Sequence, residues 1–184
     1  MSVNRAAWTV AVMATVAVLT GTRAEAADSA APATTSATAR RIVVSLSDRK
    51  LVVLEGDRIL ARFDVAVGKP STPSPVGTFT VVNRVENPTY YHSGRVIAPG
   101  PGNPVGTRWM GLSVKGYGIH GTDAPQSIGF AKSTGCIRLR NADVERLFEH
   151  VRTGDVVELH AERTPEIAPL FAEEQADQTA GLYE

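Results

Sequence analysis

The sequence predicts a single, mainly β domain with one short amphipathic helix, and two patterns support this prediction. Six runs rich in β-branched residues are separated by turn-forming residues and mostly alternate with period two. One later segment has a helical period instead. The chain has 184 residues, of which 43% are hydrophobic and 21% are charged, as is typical of one globular core. The predicted strands are 41–46, 50–56, 59–68, 77–84, 109–114 and 155–160.

The first three strands are expected to form an antiparallel meander. Residues 47–49 and 56–58 connect them, and both connections are short and rich in turn formers. Residues 87–108 contain four prolines and four glycines, which predicts a long structured loop. A loop of this length in a compact domain is usually functional or disordered.

The predicted helix follows Asn141, which is placed to act as its N-cap. Asp143 and Glu145 suit the positive end of the helix dipole, and Gly154 ends the segment. Apolar side chains recur at i, i+3, i+4 and i+7, which gives the helix one apolar face. These apolar positions are Val144, Leu147, Phe148 and Val151.

The N-terminus is typical of an exported protein. Arg5 precedes an apolar run over 6–19, and the small residues of 24–26 form a cleavage site, so residues 1–26 are expected to be a signal peptide. A membrane anchor is the alternative, but the run is shorter than the roughly 20 apolar residues that span a bilayer. The sequence thus predicts export to the periplasm or cell wall, without stable membrane insertion once the signal is cleaved.

The segments that flank the domain contain few residues to bury. Residues 27–39 are mostly Ala, Thr and Ser and are expected to be a flexible linker. Residues 161–184 combine prolines and acids without a sustained period, which predicts a loosely ordered tail with room for a short helix near 168–175. The folded domain is expected over 40–160.

The charge balance argues against a nucleic-acid partner. There are 19 basic and 19 acidic side chains, so the formal net charge is zero and no strong field attracts a polyanion. The sequence shows no cluster of metal ligands and implies no cofactor. It does not fix the oligomeric state, and a monomer is compatible with it.

Cys136 is the only cysteine, which is unusual in an exported protein because oxidising compartments favour paired cysteines. It is either a buried inert thiol or a reactive one. Glycines border both Cys136 and His120, which lies 16 positions earlier, and such segments can present a polar side chain at a strand end. A neighbouring imidazole can activate a thiol as nucleophile. We therefore expect Cys136 to be the nucleophile and His120 its base.

Other residues near these two are expected to support the chemistry. The carbonyl of Gly121, or alternatively Asp123, is expected to orient the imidazole. The amide N–H groups of Gly135 and Cys136 are expected to bind a developing oxyanion. Arg138 is expected either to bind a substrate carboxylate or to form a salt bridge with a nearby acid.

Two motifs make the chain resemble a known family. His-Gly-Thr at 120–122 and Ser-Thr-Gly-Cys-Ile-Arg-Leu at 133–139, followed by Asn-Ala-Asp-Val at 141–144, resemble the YkuD-type L,D-transpeptidase family. The likeness extends to GKPSTPSPVGTFTV at 68–81 and to 87–91 and 101–113, so it covers the whole of 40–160. The resemblance implies a YkuD-like β-sandwich or barrel and an L,D-transpeptidase catalytic domain.

The resemblance also implies a reaction on peptidoglycan stem peptides, as donor and acceptor. Cys136 would attack the bond between the L-centre of a diamino acid and D-Ala in a tetrapeptide, and an amine would resolve the thioester. The product would be a 3-3 cross-link, or a protein or amino acid attached to the wall. Carbapenems would acylate Cys136.

Substrate contacts are expected from Arg138, Thr134, Ser133 and Tyr91. Many family members have His two residues before the cysteine, where this chain has Thr134. A threonine hydroxyl can donate a hydrogen bond but is no acid near neutral pH. His120 is then expected to do the proton transfers alone. His92, in the long loop near Tyr91, is either a residue of the substrate cleft or incidental.

Other interpretations remain open at this point. Water could resolve the same thioester, which would make the protein an L,D-carboxypeptidase or a hydrolase that releases wall proteins. Sortase-like enzymes have a much longer spacing between His and Cys, and papain-like peptidases have the reverse order. A non-catalytic peptidoglycan-binding module is the alternative from another class.

Overall fold

The computed structural model describes residues 40–92 and 94–172, and the expected signal peptide and linker lie outside these ranges. The described residues form twelve strands and one α-helix. The strands are β1 (Arg40–Ser45), β2 (Lys50–Glu55), β3 (Arg58–Asp64), β4 (Val67–Gly68), β5 (Gly77–Glu86), β6 (Tyr90–His92), β7 (Arg95–Ile97), β8 (Arg108–Leu112), β9 (Gly118–His120), β10 (Ala131–Ser133), β11 (Ile137–Arg138) and β12 (Val156–His160). The helix is α1 (Asn141–His150).

Eight of these strands form one curled sheet in the order β11-β9-β8-β5-β12-β1-β2-β3. The predicted antiparallel meander β1–β2–β3 is confirmed. The predicted strand over 59–68 is two strands, because the chain leaves β3 at Asp64 and pairs β4 with β10 in a second, small sheet. β12 lies parallel to β1 and antiparallel to β5, and so joins the meander to the half of the sheet that leads to the His-Gly-Thr segment.

The main core lies between one face of the sheet and α1. Side chains of β1 alternate between two clusters, with Ile42 and Val44 in the main core and Val43 in a second cluster on the opposite face. α1 buries the apolar face that its period predicts, including Val144 and Leu147, each with no exposed surface. This packing fixes the helix against β8.

The second cluster shows that the first part of the tail, expected to be loosely ordered, is packed on the sheet. Ile167 and Phe171 are 5% and 3% exposed and pack on the outer face of β1 and β2, so residues 161–172 belong to the fold. The short helix expected near 168–175 is a 3-10 helix, Ala168–Phe171. Residues 173–184 lie outside the described part of the chain.

The expected loop over 87–108 contains an antiparallel hairpin, β6–β7, which corrects that part of the prediction. Asn103, which is 1% exposed, ties the two ends of this hairpin together. Its Nδ2 donates to the carbonyl of Pro88 at 2.7 Å, before β6, and to that of Ala98 at 3.3 Å, after β7. Its Oδ1 accepts the N–H of Val105 at 3.0 Å. One buried side chain thus satisfies the backbone at the base of the hairpin.

Asn141 is not the N-cap of α1, which corrects the prediction from the sequence. The cap residue is Arg140, with extended backbone and no side-chain cap bond. Asn141 is the first helical residue, and its side chain contacts the segments around residues 107 and 122 instead. Tertiary contacts therefore override a strong local preference here.

No helix in the described part of the chain is long and apolar enough to cross a membrane.

Candidate active site

Strand pairing brings the two predicted catalytic segments together. β9 pairs with β8 antiparallel, which aligns His120 with Trp109. β11 pairs with β9 in parallel, and its register aligns Arg138 with His120. Cys136 lies immediately before β11, so its strand places it next to the strand that ends in His120. Adjacent strands lie roughly 5 Å apart, which makes this pairing the basis of the site.

His120 is held in one tautomer. Its Nδ1 lies 2.5 Å from the carbonyl oxygen of Gly121. Because a carbonyl only accepts hydrogen bonds, Nδ1 carries the proton and Nε2 is left with a free lone pair. The group bonded to the imidazole is therefore the Gly121 carbonyl, while the side chain of Asp123 is exposed.

The surroundings of His120 keep the ring neutral. The residue is 4% exposed, and the indole of Trp109 stacks on it at 5.5 Å between ring centroids with planes 24° apart. Burial, reinforced by the charge of Arg138, lowers the His120 pKa to about 4, although the bond to Gly121 opposes the shift. At neutral pH the ring is therefore a base with its acceptor nitrogen available.

Cys136 is a half-buried thiol and the only cysteine of the sequence. Its Sγ lies 3.8 Å from the carbonyl oxygen of Gly116. Burial raises the thiol pKa above its ordinary value, while a hydrogen bond from the Gly118 backbone and the charge of Arg138 partly offset the shift. The resting pair is therefore a neutral thiol and a neutral imidazole.

Ser133 braces the cysteine loop, residues 133–136, by hydrogen bonds within it. This corrects the expectation that Ser133 contacts substrate. It has no exposed surface. Its Oγ donates to the carbonyl of Cys136 at 2.6 Å and accepts the N–H of Gly135 at 3.0 Å. Since the Gly135 N–H is bonded within the loop, the Cys136 amide is the remaining candidate of the two expected oxyanion donors.

Gly135 is required by the loop geometry. Its φ of +117° is a conformation that L side chains rarely adopt, and a Cβ there would lie 2.6 Å from Cε1 of Tyr117. The backbone before the thiol can take this tight path only with glycine.

A cleft of about 880 Å³ contains both groups. Cys136 and His120 line it together with the predicted contacts Arg138, Thr134 and Tyr91. Tyr91 is 72% exposed and, with Tyr90 and His92, brings the β6–β7 hairpin to the rim. The remaining lining residues are Val85, Asn87, Pro88, Thr89, Pro104, Val105, Trp109 and Gly116.

Arg138 has unused capacity to bind an anion. Within residues 40–92 and 94–172 it forms no ion pair with a carboxylate, so the expected salt bridge is not found there. Its Nε is buried without a hydrogen-bond partner. No acidic side chain lines the cleft in the described part of the chain. A buried donor without a partner is costly, and an incoming carboxylate would satisfy it.

Sequence reasoning missed two residues of the site. Trp109 stacks on His120 and is anchored by its Nε1, which donates to Oδ1 of Asn83 at 3.1 Å. Asn141, expected as a cap, contacts the segment that follows His120. No local signal marks either role, because both depend on which strands become neighbours. Among the described residues, no group of His, Cys, Asp and Glu side chains could hold a metal ion.

This fold and cleft place the protein among the L,D-transpeptidases. Residues 39–159 match the family described as the L,D-transpeptidase catalytic domain, YkuD. A Bacillus licheniformis protein named as an L,D-transpeptidase, YkuD, is 44% identical over 119 residues, which is 65% of this chain and 64% of that protein.

Solved structures agree with this assignment. The catalytic domain of Enterococcus faecium L,D-transpeptidase is similar with a TM-score of 0.55 and 27% identity, over 67% of this chain and 98% of that one. The L,D-transpeptidase LdtMt1, solved in complex with imipenem, shares the fold with a TM-score of 0.56 at 22% identity, over 66% of this chain and 59% of that one.

The chain therefore belongs to the YkuD-type L,D-transpeptidase family. The match covers less than two thirds of the length of each of three Bacillus relatives, namely 64%, 66% and 65%.

Proposed function

We propose that this chain is a cysteine-dependent peptidoglycan L,D-transpeptidase, with Cys136 as nucleophile and His120 as general base. The observation that carries the proposal is the shared cleft, in which the Gly121 carbonyl holds Nδ1–H and leaves Nε2 of the ring as an acceptor. Membership of the family supports an acyl-transferring enzyme.

The proposed first half of the reaction forms a thioester. Nε2 of His120 accepts the thiol proton as the Cys136 sulfur attacks the carbonyl between the L-centre of the diamino acid and D-Ala. The carbonyl oxygen becomes an oxyanion that the Cys136 amide N–H can bind. The C–N bond then breaks, and the imidazolium gives its proton to the departing amine of D-Ala.

The second half transfers the acyl group. The amine of an acceptor stem peptide attacks the thioester, and Nε2 takes the proton that this amine loses. The C–S bond breaks, the new amide forms, and the proton returns to the sulfur. One imidazole serves both halves, because Thr134 at the rim offers a hydroxyl but no acid near neutral pH.

The resting charges favour a proton transfer that accompanies attack. Burial holds the thiol pKa high and the imidazole pKa at about 4, so a separated ion pair is disfavoured before substrate arrives. Substrate binding would complete the cavity and align the carbonyl with the sulfur. The thiolate would then form only when its target is in place.

Arg138 is proposed to select the acyl donor. It is the one permanently charged side chain that lines the cleft in the described part of the chain, and its Nε lacks a partner. A stem tetrapeptide carries carboxylates that can meet this charge. Thr134 and Tyr91 are proposed as further contacts, since both reach the cleft surface.

A purified tetrapeptide donor tests the reaction directly. The full chain is incubated with donor, with and without an amine acceptor, and the products are identified by mass spectrometry. Release of D-Ala with formation of a donor–acceptor amide supports transpeptidation. Release of D-Ala with addition of water alone would instead identify the L,D-carboxypeptidase, and no turnover with intact binding would identify the non-catalytic module. Cys136→Ala must abolish release.

Export is a separate proposal that rests on residues 1–26. Expression of the full chain in a bacterial host, followed by N-terminal sequencing of the exported protein, tests it. A mature N-terminus at Ala27 supports the proposal. Retention of the whole chain inside the cell would overturn it.

A further inference from the structure

Asn141 links the segment that carries the thiol to the segment that carries the imidazole. It follows Arg138 by three positions and opens α1. Its Oδ1 accepts the backbone N–H of Thr122 at 3.1 Å and that of Thr107 at 3.3 Å. One carboxamide oxygen therefore ties the start of the helix to the chain just after His120 and to the chain that leads into β8.

The neighbouring glycines fit this carboxamide. A Cβ at Gly121 would lie 2.2 Å from Oδ1 of Asn141, and a Cβ at Gly106 would lie 2.1 Å from it. Neither distance is compatible with a side chain there. The absence of a Cβ at both positions lets the Asn141 oxygen approach the backbone closely.

The Thr122 N–H and the Gly121 carbonyl belong to the same peptide unit. This unit is planar, and its N–H and C=O point in opposite directions. Asn141 holds the N–H end, and the Nδ1–H of His120 is bonded to the C=O end. Rotation of this one plane would break both hydrogen bonds together, so the orientation of the imidazole depends on the bond to Asn141.

We propose that Asn141 is a positioning residue, which fixes the 121–122 peptide plane and through it the tautomer and direction of the His120 ring. Asn141 does not belong to the side chains that line the cleft in the described part of the chain, so it acts through Gly121 and without touching substrate. The inference rests on the proposed function for its effect on catalysis, but the tautomer and the bond can be measured without turnover.

The first test measures the resting full chain by NMR. Long-range proton–nitrogen spectra of ¹⁵N-labelled protein should show His120 as the Nδ1–H tautomer, and the Thr122 amide should exchange slowly with solvent. In Asn141→Ala, both tautomers of His120 should appear and the Thr122 amide should exchange at least about tenfold faster. A single Nδ1–H tautomer in Asn141→Ala, or a fast-exchanging Thr122 amide in the unaltered protein, would overturn the proposal.

The second test measures acylation of Cys136 by a carbapenem. Asn141→Ala should lower the acylation rate constant about 10- to 100-fold, as expected when a base is misdirected, with the dissociation constant of the initial complex unchanged. Asn141→Asp keeps an acceptor oxygen for both amides and should recover most of the rate. Asp143→Ala is the matched control, because it removes an ion-paired carboxylate from the same helical turn. It should keep the unaltered rate.

The outcomes distinguish failure of the positioning role of Asn141 from failure of the proposed function. Equal rates for Asn141→Ala and Asp143→Ala would overturn the positioning role, as would failure of a folded Asn141→Asp to recover activity. If the unaltered protein itself is not acylated, the proposed function fails, and the NMR measurements decide the role of Asn141. If Asn141→Ala does not fold, the Thr122 exchange rate and Asn141→Asp decide it.

Discussion

Replacing Ser133 by alanine should loosen the loop that carries the thiol. The Ser133 hydroxyl makes two bonds, one to the Cys136 carbonyl at 2.6 Å and one from the Gly135 N–H at 3.0 Å. Ser133→Ala leaves the buried Gly135 N–H and the partly buried Cys136 carbonyl without their partner. The loss should lower the free energy of unfolding by about 2–4 kcal/mol, counting about 1–3 for the amide and about 1 for the carbonyl.

Urea denaturation of the full chain measures this change. The midpoint should fall while the dependence on urea stays the same, because the surface exposed on unfolding is unchanged. Thr134→Ala is the control, since its side chain is exposed and its effect should stay within about 0.5 kcal/mol. A loss below about 1 kcal/mol for Ser133→Ala would show that the two bonds do not stabilise the loop.

The rate of carbapenem acylation gives a second measure of how firmly Ser133 holds the cysteine loop. The brace sets the positions of the Cys136 carbonyl and the Gly135 amide, so Ser133→Ala should also slow carbapenem acylation of Cys136 in the fraction that stays folded. Full acylation rate in folded Ser133→Ala would refute the interpretation of Ser133 as a brace.

Three further perturbations test other parts of the site. The His120 pKa is lowered to about 4, so the folded state holds the ring neutral while the unfolded state takes up a proton from about pH 6.5 downward. The free energy of unfolding should therefore fall by about 3 kcal/mol between pH 6.5 and 4. His120→Asn should remove this contribution to the pH dependence of stability. Gly135→Ala combines an unfavourable φ with a steric clash and should slow acylation at least about tenfold, whereas Gly129→Ala, with positive φ and open space, should keep the rate. Asn103→Ala frees both ends of the β6–β7 hairpin and should raise KM for the tetrapeptide donor several-fold with little change in kcat; an unchanged KM would contradict a role of this hairpin in binding.

The strands and the helix could be predicted because their periods are local. The meander follows from short apolar runs and tight turns, and the apolar face of α1 follows from Val144 and Leu147 at helical spacing. The β6–β7 hairpin could not be predicted in the same way, because its strands have three residues each and lie among prolines and glycines.

The structure of the tail and that of the helix cap differ from the prediction for different reasons. Ile167, Leu170 and Phe171 have the spacing of an apolar helical face, and this signal could have placed residues 161–172 on the sheet. The position of Asn141 before the apolar helical pattern predicts an N-cap, but the cap is Arg140. The Asn141 carboxamide meets backbone from two distant segments, and no local pattern reveals such a contact.

The reacting groups of the site could be predicted more readily than the side chains that hold them in place. Cys136, His120 and the Gly121 carbonyl follow from what a thiol needs in order to attack. Ser133 looks like a substrate contact in a linear sequence, because it stands three residues before the thiol. Only the folded loop shows its hydroxyl between two backbone groups, with no surface left for a ligand.

Carbapenem acylation of the unaltered chain, compared with that of His120→Ala, measures whether the imidazole activates the thiol. We expect one carbapenem mass on the peptide that contains Cys136, and an acylation rate about 10²–10⁴-fold lower in His120→Ala, as befits a missing general base. No adduct on the unaltered protein, or an equal rate in folded His120→Ala, would contradict the claim that this imidazole activates this thiol.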